Sequence, residues 1–346
     1  MQIGQHSIGR AGPPFIIAEM SGNHNQSLDR AMKIVDEVAA SGAHALKLQT
    51  YTADTMTLDL QEREFFIHDQ RSPWNGTSLH KLYEQAHTPW EWHAPIFEHA
   101  RRLGLVAFST PFDATAVDFL QSLDVPAYKI ASFENTDLPL IRKVAATGKP
   151  LIVSVGMANL AEIDEAVRAA RACRAGDLAL LKCTSSYPAS PAASNLVTIP
   201  HLRSAFNCEV GLSDHTPGVG VAVAAVALGA TVIEKHFTLS RAEGGVDAAF
   251  SLEPQEFTQL VRETRAAWQA LGEVRLGVTE DERSSLMLRR SLYICADLAA
   301  GDVLTPQNLR AIRPGYGLPP KFLDQLLGKR VTRAVRRGTP MAWELL

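Results

Sequence analysis

Short apolar runs alternate with amphipathic stretches along the first 270 residues or so of the chain. Eight runs of six to eight residues are rich in Val, Ile, Leu and Ala, which is typical of strands buried on both faces of a parallel sheet. The predicted strands are Pro14–Glu19, Ala43–Thr50, Leu105–Thr110, Pro126–Ala131, Pro150–Val155, Asp177–Cys183, Cys208–Ser213 and Ala230–His236. The predicted helices between them are Leu28–Ala40, Trp90–Leu103, Ala114–Leu123, Leu138–Thr147, Leu160–Arg174, Leu196–Phe206, Val219–Leu228 and Pro254–Leu271.

This alternation predicts an α/β fold in the form of a (β/α)8 TIM barrel, because eight strand–helix pairs fit within about 250 residues. Two helices begin behind a residue that can cap them, Ser27 and Asp113. An open doubly wound sheet is the alternative, but it would place a glycine-rich phosphate loop after the first strand. The chain has Glu19-Met20-Ser21-Gly22-Asn23-His24 there instead, which favours the barrel.

The pattern changes after Leu271. We predict a catalytic barrel over residues 1–272, a polar linker over 273–285 and a small C-terminal β-rich domain over 286–346. In that domain Ser291–Cys295 and Val303–Leu304 are predicted strands, and Thr305–Leu309 a short helix. Within the barrel, the long segment Tyr51–Thr88 interrupts the regular spacing, and loops of this length commonly serve as lids over a site.

Composition excludes several classes of function. The chain has 346 residues, a formal net charge of −3 and 21% charged residues, so no global field attracts nucleic acid or an anionic membrane. Its first residues lack a basic and then apolar signal sequence, and no apolar stretch approaches the roughly 20 residues that span a bilayer. The 4 cysteines are scattered without CxxC spacing. We therefore expect a reduced, cytoplasmic protein.

Two histidines end neighbouring predicted strands. Gly211-Leu212-Ser213-Asp214-His215-Thr216 closes one strand, Glu234-Lys235-His236 closes the next, and a single helix connects them. Side chains at the same ends of adjacent parallel strands can reach a common point. Imidazole suits Mn, Fe, Co or Zn, and nearby carboxylates favour Mn. The alternative is that both histidines are ordinary polar residues at strand ends.

Lysines occur at the carboxyl ends of three predicted strands: Lys47, Lys129 and Lys182. Together with the hydroxyls of Ser and Thr residues, they predict a pocket for a phosphate, a carboxylate or both. Two alternatives stay open: one lysine acts as a Schiff-base nucleophile, or each lysine pairs with a glutamate across the barrel. A metal beside an anion pocket suggests phosphoenolpyruvate as the nucleophile and a metal-polarised aldehyde as the electrophile.

These motifs, in this order and spacing, resemble the sialic acid synthase family, and the tail from about Ser291 resembles its antifreeze-like (SAF) domain. Within the family the chain is most similar to pseudaminic acid synthases. One departure stands out, because Ser185 replaces an Asn that N-acetylneuraminate synthases carry before Tyr187-Pro188. The family motifs are Ile17-Ala18-Glu19, Asn23-His24, Lys47-Leu48-Gln49-Thr50, Ser109-Thr110-Pro111-Phe112-Asp113, Tyr128-Lys129-Ile130-Ala131-Ser132 and the two histidine segments above. The pseudaminic-type segments are Gln49–Thr52, His87–His93, Lys182–Pro188, Asp247–Leu252 and Arg313–Leu318.

The resemblance implies a reaction. Phosphoenolpyruvate would condense with an open-chain 2,4-diacetamido-2,4,6-trideoxy hexose of the altrose type, and with water, to give pseudaminic acid and phosphate. The alternative is a legionaminic or N-acetylneuraminic acid synthase that uses the corresponding mannose-type sugar.

The resemblance also implies roles for individual residues. A divalent cation is expected, Mn²⁺ first, with Mg²⁺ or Co²⁺ as alternatives. Our own candidates for managing the proton of the attacking water are Glu19 and Glu134, between which the sequence does not decide. Arg313 would reach the sugar from the partner subunit of a domain-swapped homodimer. The implied metal ligands are His215 and His236. The implied phosphoenolpyruvate ligands are Lys47, Thr110, Lys129, Ser132, Ser154 and Ser213. The sugar site would be lined by Glu19, Gln49, Tyr187, Asp247 and Arg313.

Overall fold

The computed structural model describes residues 1–70, 72–173 and 175–346. Within them, eight parallel strands close into a barrel, so the predicted (β/α)8 fold is confirmed. The strands are β1 (Phe15–Glu19), β2 (Ala45–Thr50), β3 (Val106–Pro111), β4 (Tyr128–Ile130), β5 (Leu151–Ser154), β6 (Leu178–Cys183), β7 (Glu209–Asp214) and β8 (Val232–His236). A two-stranded hairpin, Gln2–Ile3 with His6–Ser7, precedes β1.

Eight helices follow these strands around the barrel in the part of the chain that is described. They are α1 (Leu28–Ala40), α2 (Trp90–Arg102), α3 (Ala114–Ser122), α4 (Leu138–Ala145), α5 (Leu160–Ala172), α6 (Thr198–Phe206), α7 (Gly220–Ala227) and α8 (Pro254–Leu271). Both predicted caps are present, since Ser27 accepts from the Arg30 amide and Asp113 accepts from the Thr115 and Ala116 amides. The predicted end of the fifth helix, Arg174, lies outside the described residues.

The barrel closes where β8 pairs with β1, with His236 opposite Glu19. On the other side of β8, Glu234 pairs with Ser213 and Lys235 with Asp214 of β7. Every residue of β1 and β8 is buried, as the unbroken apolar runs predicted. This register sets the carboxyl ends of β7, β8 and β1 side by side, which brings both histidine segments to one mouth.

Some predicted boundaries differ from the structure. β4 covers three residues instead of Pro126–Ala131, because Pro126 has no N–H to extend the ladder and Ser132 begins a 3-10 turn. In the described part of the segment between β2 and α2 lie the short α-helices Ala53–Met56 and Leu79–Ala86, each with an N-cap hydroxyl, and the 3-10 turn Arg63–Phe65.

The chain divides into two compact units, Met1–Gly272 and Glu273–Leu346. The second unit has its own apolar core, which includes Leu292, Leu304 and Val331. Its strands are β9 (Ser291–Ile294) and β10 (Leu309–Ile312), which pair antiparallel, and a four-residue helix spans Leu323–Leu326.

The strand and the short helix predicted within Val303–Leu309 were wrong. Val303 makes only an isolated bridge to Arg330, and the expected helix is a turn that leads into β10. The side chain of Asn308 accepts from the Thr305 amide at 2.8 Å, which stabilises this turn in place of a helix. No helix in the described part of the chain is both long and apolar enough to cross a bilayer.

Gly211 in β7 is required for close contact between β7 and β8. A Cβ atom added there would collide with the Val232 carbonyl oxygen and lie 2.7 Å from its Cβ and 2.8 Å from Cδ2 of Leu181. We expect Gly211→Ala to lower the free energy of unfolding by about 1–3 kcal/mol, as overpacking does. The control is Gly220→Ala, where the added Cβ meets nothing within 4 Å. Equal urea-unfolding curves for the two variants would contradict the argument.

Candidate active site

The centre of the barrel mouth holds a network of buried charges. Lys47 Nζ forms an ion pair with Glu19, lies 3.7 Å from an oxygen of Glu234 and donates to Thr110 Oγ1 at 3.0 Å. Lys129 Nζ approaches the other oxygen of Glu234 at 3.2 Å. All five residues are at most 5% exposed. The alternative in which lysines pair with glutamates across the barrel is therefore present for Lys47 and Lys129.

The two glutamates of this network have pKa values shifted in opposite directions. Burial disfavours the anionic form of Glu234, but Lys129 and Lys47 outweigh it and lower its pKa to about 2. Burial raises the pKa of Glu19, and the nearby charge of Glu234 adds to that rise. Protonation of Glu19 would leave two lysines facing one carboxylate. The ion pairs are thus compatible with an anion pocket, since the neutral form of Glu19 gives the cluster a net positive charge.

Serine hydroxyls lie on neighbouring strand ends. Ser213 donates to Glu234 at 3.0 Å, and Ser132 Oγ accepts from the Gly156 amide at 3.1 Å. Ser154 Oγ is buried without a hydrogen-bond partner among the described residues. A buried hydroxyl without a partner is uncommon in a folded protein, and here it leaves a free donor at the mouth that a bound anion could use. Asn135 fixes this edge by donating to the carbonyl oxygens of Gly156 and Ser154.

The two histidine rings lie side by side, with centroids 5.4 Å apart. Nδ1 of His215 lies 3.1 Å from the Thr184 carbonyl oxygen and can donate to it, and in the neutral ring this tautomer leaves the lone pair on Nε2. Nδ1 of His236 is buried and has no hydrogen-bond partner in the part of the chain that the structure describes, and burial lowers the pKa of this ring well below its usual value. Both rings therefore fit the donor chemistry of a transition-metal ion.

The protein supplies few further ligands at this point. Among the described residues there is no group of three or more His, Cys, Asp or Glu side chains arranged to hold a metal. Asp247 is the nearest carboxylate, with Oδ2 3.7 Å from His236 Nδ1, and it also accepts from the hydroxyl of Ser21. A cation held by two imidazoles alone would keep open positions for substrate oxygens.

A buried ion pair braces the two histidines from behind. Lys235 donates to Asp214 at 2.6 Å and also to the Thr216 carbonyl, and the two side chains are 0% and 1% exposed. Asp214 precedes His215 and Lys235 precedes His236, so strand alternation points the pair away from the mouth. These two charges position the histidines and do not belong to the pocket.

Glu134 stands at a different edge of the mouth. It ends the 3-10 turn after β4, and its Oε2 atom is buried without a hydrogen-bond partner among the described residues. Burial raises its pKa to about 7, partly offset by Lys129. A carboxyl with this pKa can both accept and release a proton at neutral pH.

The remaining residues implied for the sugar site are divided between the two units. Tyr187 lies against His215, with ring centroids 4.5 Å apart, and Asp247 is 8% exposed and lies beside His236. Gln49 is half-buried in β2, opposite Thr110 of β3. Arg313 belongs to the C-terminal unit, where it is exposed and lines a cavity of about 770 Å³.

Lys182 does not join the other lysines, so the expectation of three converging lysines was wrong. Its Nζ donates to the carbonyl oxygen of Cys183 and to Thr184 Oγ1, at 2.8 and 3.4 Å. The next side chain, Cys183, occupies the inward position, with Sγ 3.9 Å from His215 Nδ1. Period-2 alternation allows only one of two successive residues to face the mouth.

No role was predicted for Glu234, the counterion of both inward lysines. Phe250 lies in the segment Asp247–Leu252 that carries the resemblance but was given no role, and its ring centroid lies 5.0 Å from that of His236. Strand alternation could have indicated Glu234, because Glu234 and His236 are two residues apart on one strand and therefore face the same side. No hydrophobic period indicates Phe250, since it reaches the site from the loop after β8.

The comparisons with known proteins agree with this geometry. Residues 34–275 match the NeuB family and residues 289–346 match the SAF domain. The chain is 42% identical over 338 residues to a pseudaminic acid synthase of Campylobacter jejuni, covering 98% of this chain and 97% of that protein. It is 41% identical over 333 residues to the pseudaminic acid synthase of Helicobacter pylori, covering 95% and 97%.

A solved structure is similar over most of the chain. The crystal structure of an N-acetylneuraminic acid synthetase from Leptospira borgpetersenii superimposes with a TM-score of 0.74 at 31% identity, covering 83% of this chain and 94% of that one. With the family match over residues 34–275 and near-complete coverage by curated relatives, the chain belongs to the NeuB family.

Proposed function

We propose that this protein is a pseudaminic acid synthase. It condenses phosphoenolpyruvate with an open-chain 2,4-diacetamido-2,4,6-trideoxy hexose of the altrose type and releases phosphate. The carrying observation is the paired rings of His215 and His236 beside a buried pocket of lysines and serine hydroxyls. The histidine pair suits an aldehyde, and the pocket of lysines and hydroxyls suits a phosphorylated carboxylate. The relatives in Campylobacter and Helicobacter support the choice of sugar.

The reaction follows from the two halves of the site. C3 of phosphoenolpyruvate uses its double-bond electrons to form a bond with the aldehyde carbon, and the aldehyde oxygen takes up a proton. Water adds at C2 and loses a proton. The C2–O bond to phosphate then breaks with its electron pair leaving on phosphate, and loss of the hydroxyl proton gives the 2-keto acid. The divalent cation, Mn²⁺ in this proposal, supplies Lewis-acid polarisation and orientation when bound.

The protein's own residues hold the reactants. Lys47, Lys129 and the hydroxyls of Ser132, Ser154 and Ser213 bind the phosphate and carboxylate of phosphoenolpyruvate. Glu134 accepts the proton of the attacking water, because its pKa lies near neutrality. Glu19 is the second carboxyl that can carry a proton, since it lies beside Lys47 and its pKa is raised.

One assay tests the function directly. Phosphate release is measured with phosphoenolpyruvate and three acceptors: the diacetamido trideoxy altrose, the corresponding mannose-type sugar and N-acetylmannosamine. The altrose-type sugar should give the highest kcat/KM. A higher value with the mannose-type sugar would make the protein a legionaminic acid synthase, and release with none of them would end the proposal.

The role of Glu134 predicts a pH dependence. A base must be deprotonated to act, so kcat/KM should rise with pH through about 7, the pKa of this carboxyl. In Glu134→Gln this rising limb should disappear and kcat should fall by about 10²-fold or more. Glu165→Gln, on the outer helix α5, serves as the control. Retention of the limb in Glu134→Gln would assign the proton transfer to another group.

Lys129→Ala should weaken phosphoenolpyruvate much more than the sugar. Loss of a charge-assisted hydrogen bond costs about 1.5–3 kcal/mol, so KM for phosphoenolpyruvate should rise by roughly ten- to a hundredfold. Steady-state kinetics with each substrate varied in turn measure both constants. Lys143→Ala changes a half-exposed lysine of the surface pair with Asp118 and is the control. Equal effects on the two substrates would contradict the assignment.

Removal of either histidine should abolish cation binding together with turnover. His215→Ala and His236→Ala should show no heat of Mn²⁺ binding in calorimetry, whereas exposed His201→Ala should bind as the wild type does. Chelation of the wild type should give the same loss of turnover, and added Mn²⁺ should restore it. Full turnover by metal-free wild-type protein would exclude the cation from the reaction.

We also propose a domain-swapped homodimer, in which Arg313 completes the sugar site of the partner barrel. The charge distribution supports docking: residues 273–346 contain 12 Lys or Arg against 8 Asp or Glu, while residues 1–272 contain 22 against 29. Surfaces of opposite sign attract one another. An arginine suits the role because its planar group can donate two hydrogen bonds to acetamido or hydroxyl oxygens. The cytoplasm is the proposed location of this dimer.

Mixed dimers test the swap. Arg313→Ala and His236→Ala chains should each be inactive alone, yet a heterodimer would combine an intact barrel from the first with an intact arginine from the second. Such a mixture should recover up to about half of the wild-type activity per heterodimer, since one of two symmetric sites is complete. Subunit exchange is followed by native mass spectrometry. Confirmed exchange without recovered activity would show that Arg313 does not act across the dimer.

A further inference from the structure

Ser21 has an uncommon backbone conformation at the mouth of the barrel. It begins the 3-10 turn Ser21–His24, directly after β1, and is 2% exposed. Its φ of 48° lies in the left-handed region, which residues with a Cβ atom rarely adopt and glycine adopts freely. Residues in such conformations persist where contacts with their surroundings hold them, and they are frequent at functional sites. The contacts of Ser21 therefore indicate its role.

Ser21 binds two carboxylates of the mouth. Its hydroxyl donates to Oδ2 of Asp247, and its amide donates to Oε1 of Glu19 at 3.0 Å. Among the described residues, no other side chain donates a hydrogen bond to the Asp247 carboxylate, and none donates to its Oδ1 atom. Oδ2 also lies 3.7 Å from Nδ1 of His236. The hydroxyl of Ser21 thus sets the position of this carboxylate beside the histidine pair.

The loop after β8 has other hydrogen bonds that fix its backbone. Nδ2 of Asn23 donates to the Phe237 carbonyl at 2.8 Å and to Ser251 Oγ at 2.9 Å, while Oδ1 of Asn23 accepts from the Asp247 amide at 3.3 Å. The Ser251 hydroxyl donates to the Asp247 carbonyl at 2.7 Å. Because these bonds tie the loop to the turn after β1, the hydroxyl of Ser21 acts on the Asp247 carboxylate and not on the path of the loop.

A carboxylate held at this point suits the acceptor sugar. In the proposed reaction the aldehyde carbon lies at the histidine pair, and an open-chain acetamido sugar carries N–H and O–H donors close to that carbon. An ionised carboxylate can only accept hydrogen bonds, and those it accepts are strong. With Oδ2 held by Ser21, Asp247 keeps Oδ1 for a donor of the ligand. A side chain that is already oriented loses less conformational freedom when the ligand binds.

We propose that Ser21 is a positioning residue for the acceptor: its hydroxyl holds the Asp247 carboxylate beside His236, in the orientation that accepts a hydrogen bond from the sugar. Ser21 acts through Asp247 and not by contact with the sugar. The inference rests on the proposed function and deepens it by naming the residue that prepares Asp247. It also accounts for a serine at a left-handed position, because the hydroxyl makes a contact that glycine lacks.

Ser21→Gly tests this role, because glycine accommodates the φ of 48° and removes the hydroxyl. Steady-state kinetics with the diacetamido trideoxy altrose and phosphoenolpyruvate varied in turn give both KM values. The KM for the sugar should rise by about tenfold or more, as expected for the loss of a hydrogen bond to a charged group. The KM for phosphoenolpyruvate should stay as in the wild type. A merely structural role would alter both constants together.

A double-mutant cycle shows whether Ser21 acts through Asp247. In the Asp247→Ala background, Ser21→Gly should change kcat/KM for the sugar by less than about twofold, because the carboxylate that Ser21 positions is gone. Asn207→Gly is the matched control. Asn207 has a φ of 45° but is exposed between α6 and β7, at the opposite end of the barrel from the mouth. Its replacement should leave both KM values unchanged, and thermal unfolding verifies that each variant is folded.

Three results would overturn the inference while the proposed function stands: an unchanged KM for the sugar in Ser21→Gly, an equal rise for both substrates, or a full effect in the Asp247→Ala background. Absence of turnover by the wild type with all three acceptors would instead overturn the proposed function, and this inference with it. If Ser21→Gly fails to fold, Ser21→Ala decides by the same measurements, since it also lacks the hydroxyl.

Discussion

The site depends on one carboxylate shared between two lysines. Glu234 lies 3.2 Å from Lys129 and 3.7 Å from Lys47, and all three are almost fully buried. Without it, Lys129 would lose its paired carboxylate and Lys47 would keep only Glu19, and an uncompensated buried charge is costly in a medium of low dielectric constant. Glu234 favours the charged form of both lysines, although burial still lowers the pKa of Lys129, and it thereby prepares the pocket electrostatically for an anion.

Strand alternation then divides the mouth into separate chemical tasks. On β8, Glu234 and His236 face inward while Lys235 faces the surrounding helices, and on β7 Ser213 and His215 are separated in the same way by Asp214. The outward pair of Asp214 and Lys235 joins the strands, and the inward residues line the mouth of the barrel. A shift of one residue in the register of β8 would exchange these roles, so the tight β7–β8 contact at Gly211 protects the chemistry as well as the fold.

The sequence was sufficient to predict the barrel, because strands buried on both faces produce unbroken apolar runs. It was also sufficient to bring His215, His236, Lys47 and Lys129 together, since their places at strand ends follow from the fold. It failed where a side chain's direction or a distant loop decides the outcome. Lys182 lies at a strand end but on the wrong face, and Phe250 reaches the histidines through a turn that no periodicity marks. The strand Leu309–Ile312 was not predicted, because a helix was expected over Thr305–Leu309. The side chain of Asn308 instead accepts a hydrogen bond from the Thr305 amide and stabilises a turn there.

The brace between Asp214 and Lys235 has a thermodynamic consequence for ligand binding. It joins the two strand ends directly beside His215 and His236, so the spacing of the imidazoles is already fixed in the folded protein. Once one nitrogen has captured an ion, the second contact is intramolecular and occurs at a high effective concentration. For the proposed cation, the histidine pair would therefore be a preorganised pair of donors, and two protein ligands would suffice where a flexible loop would require more.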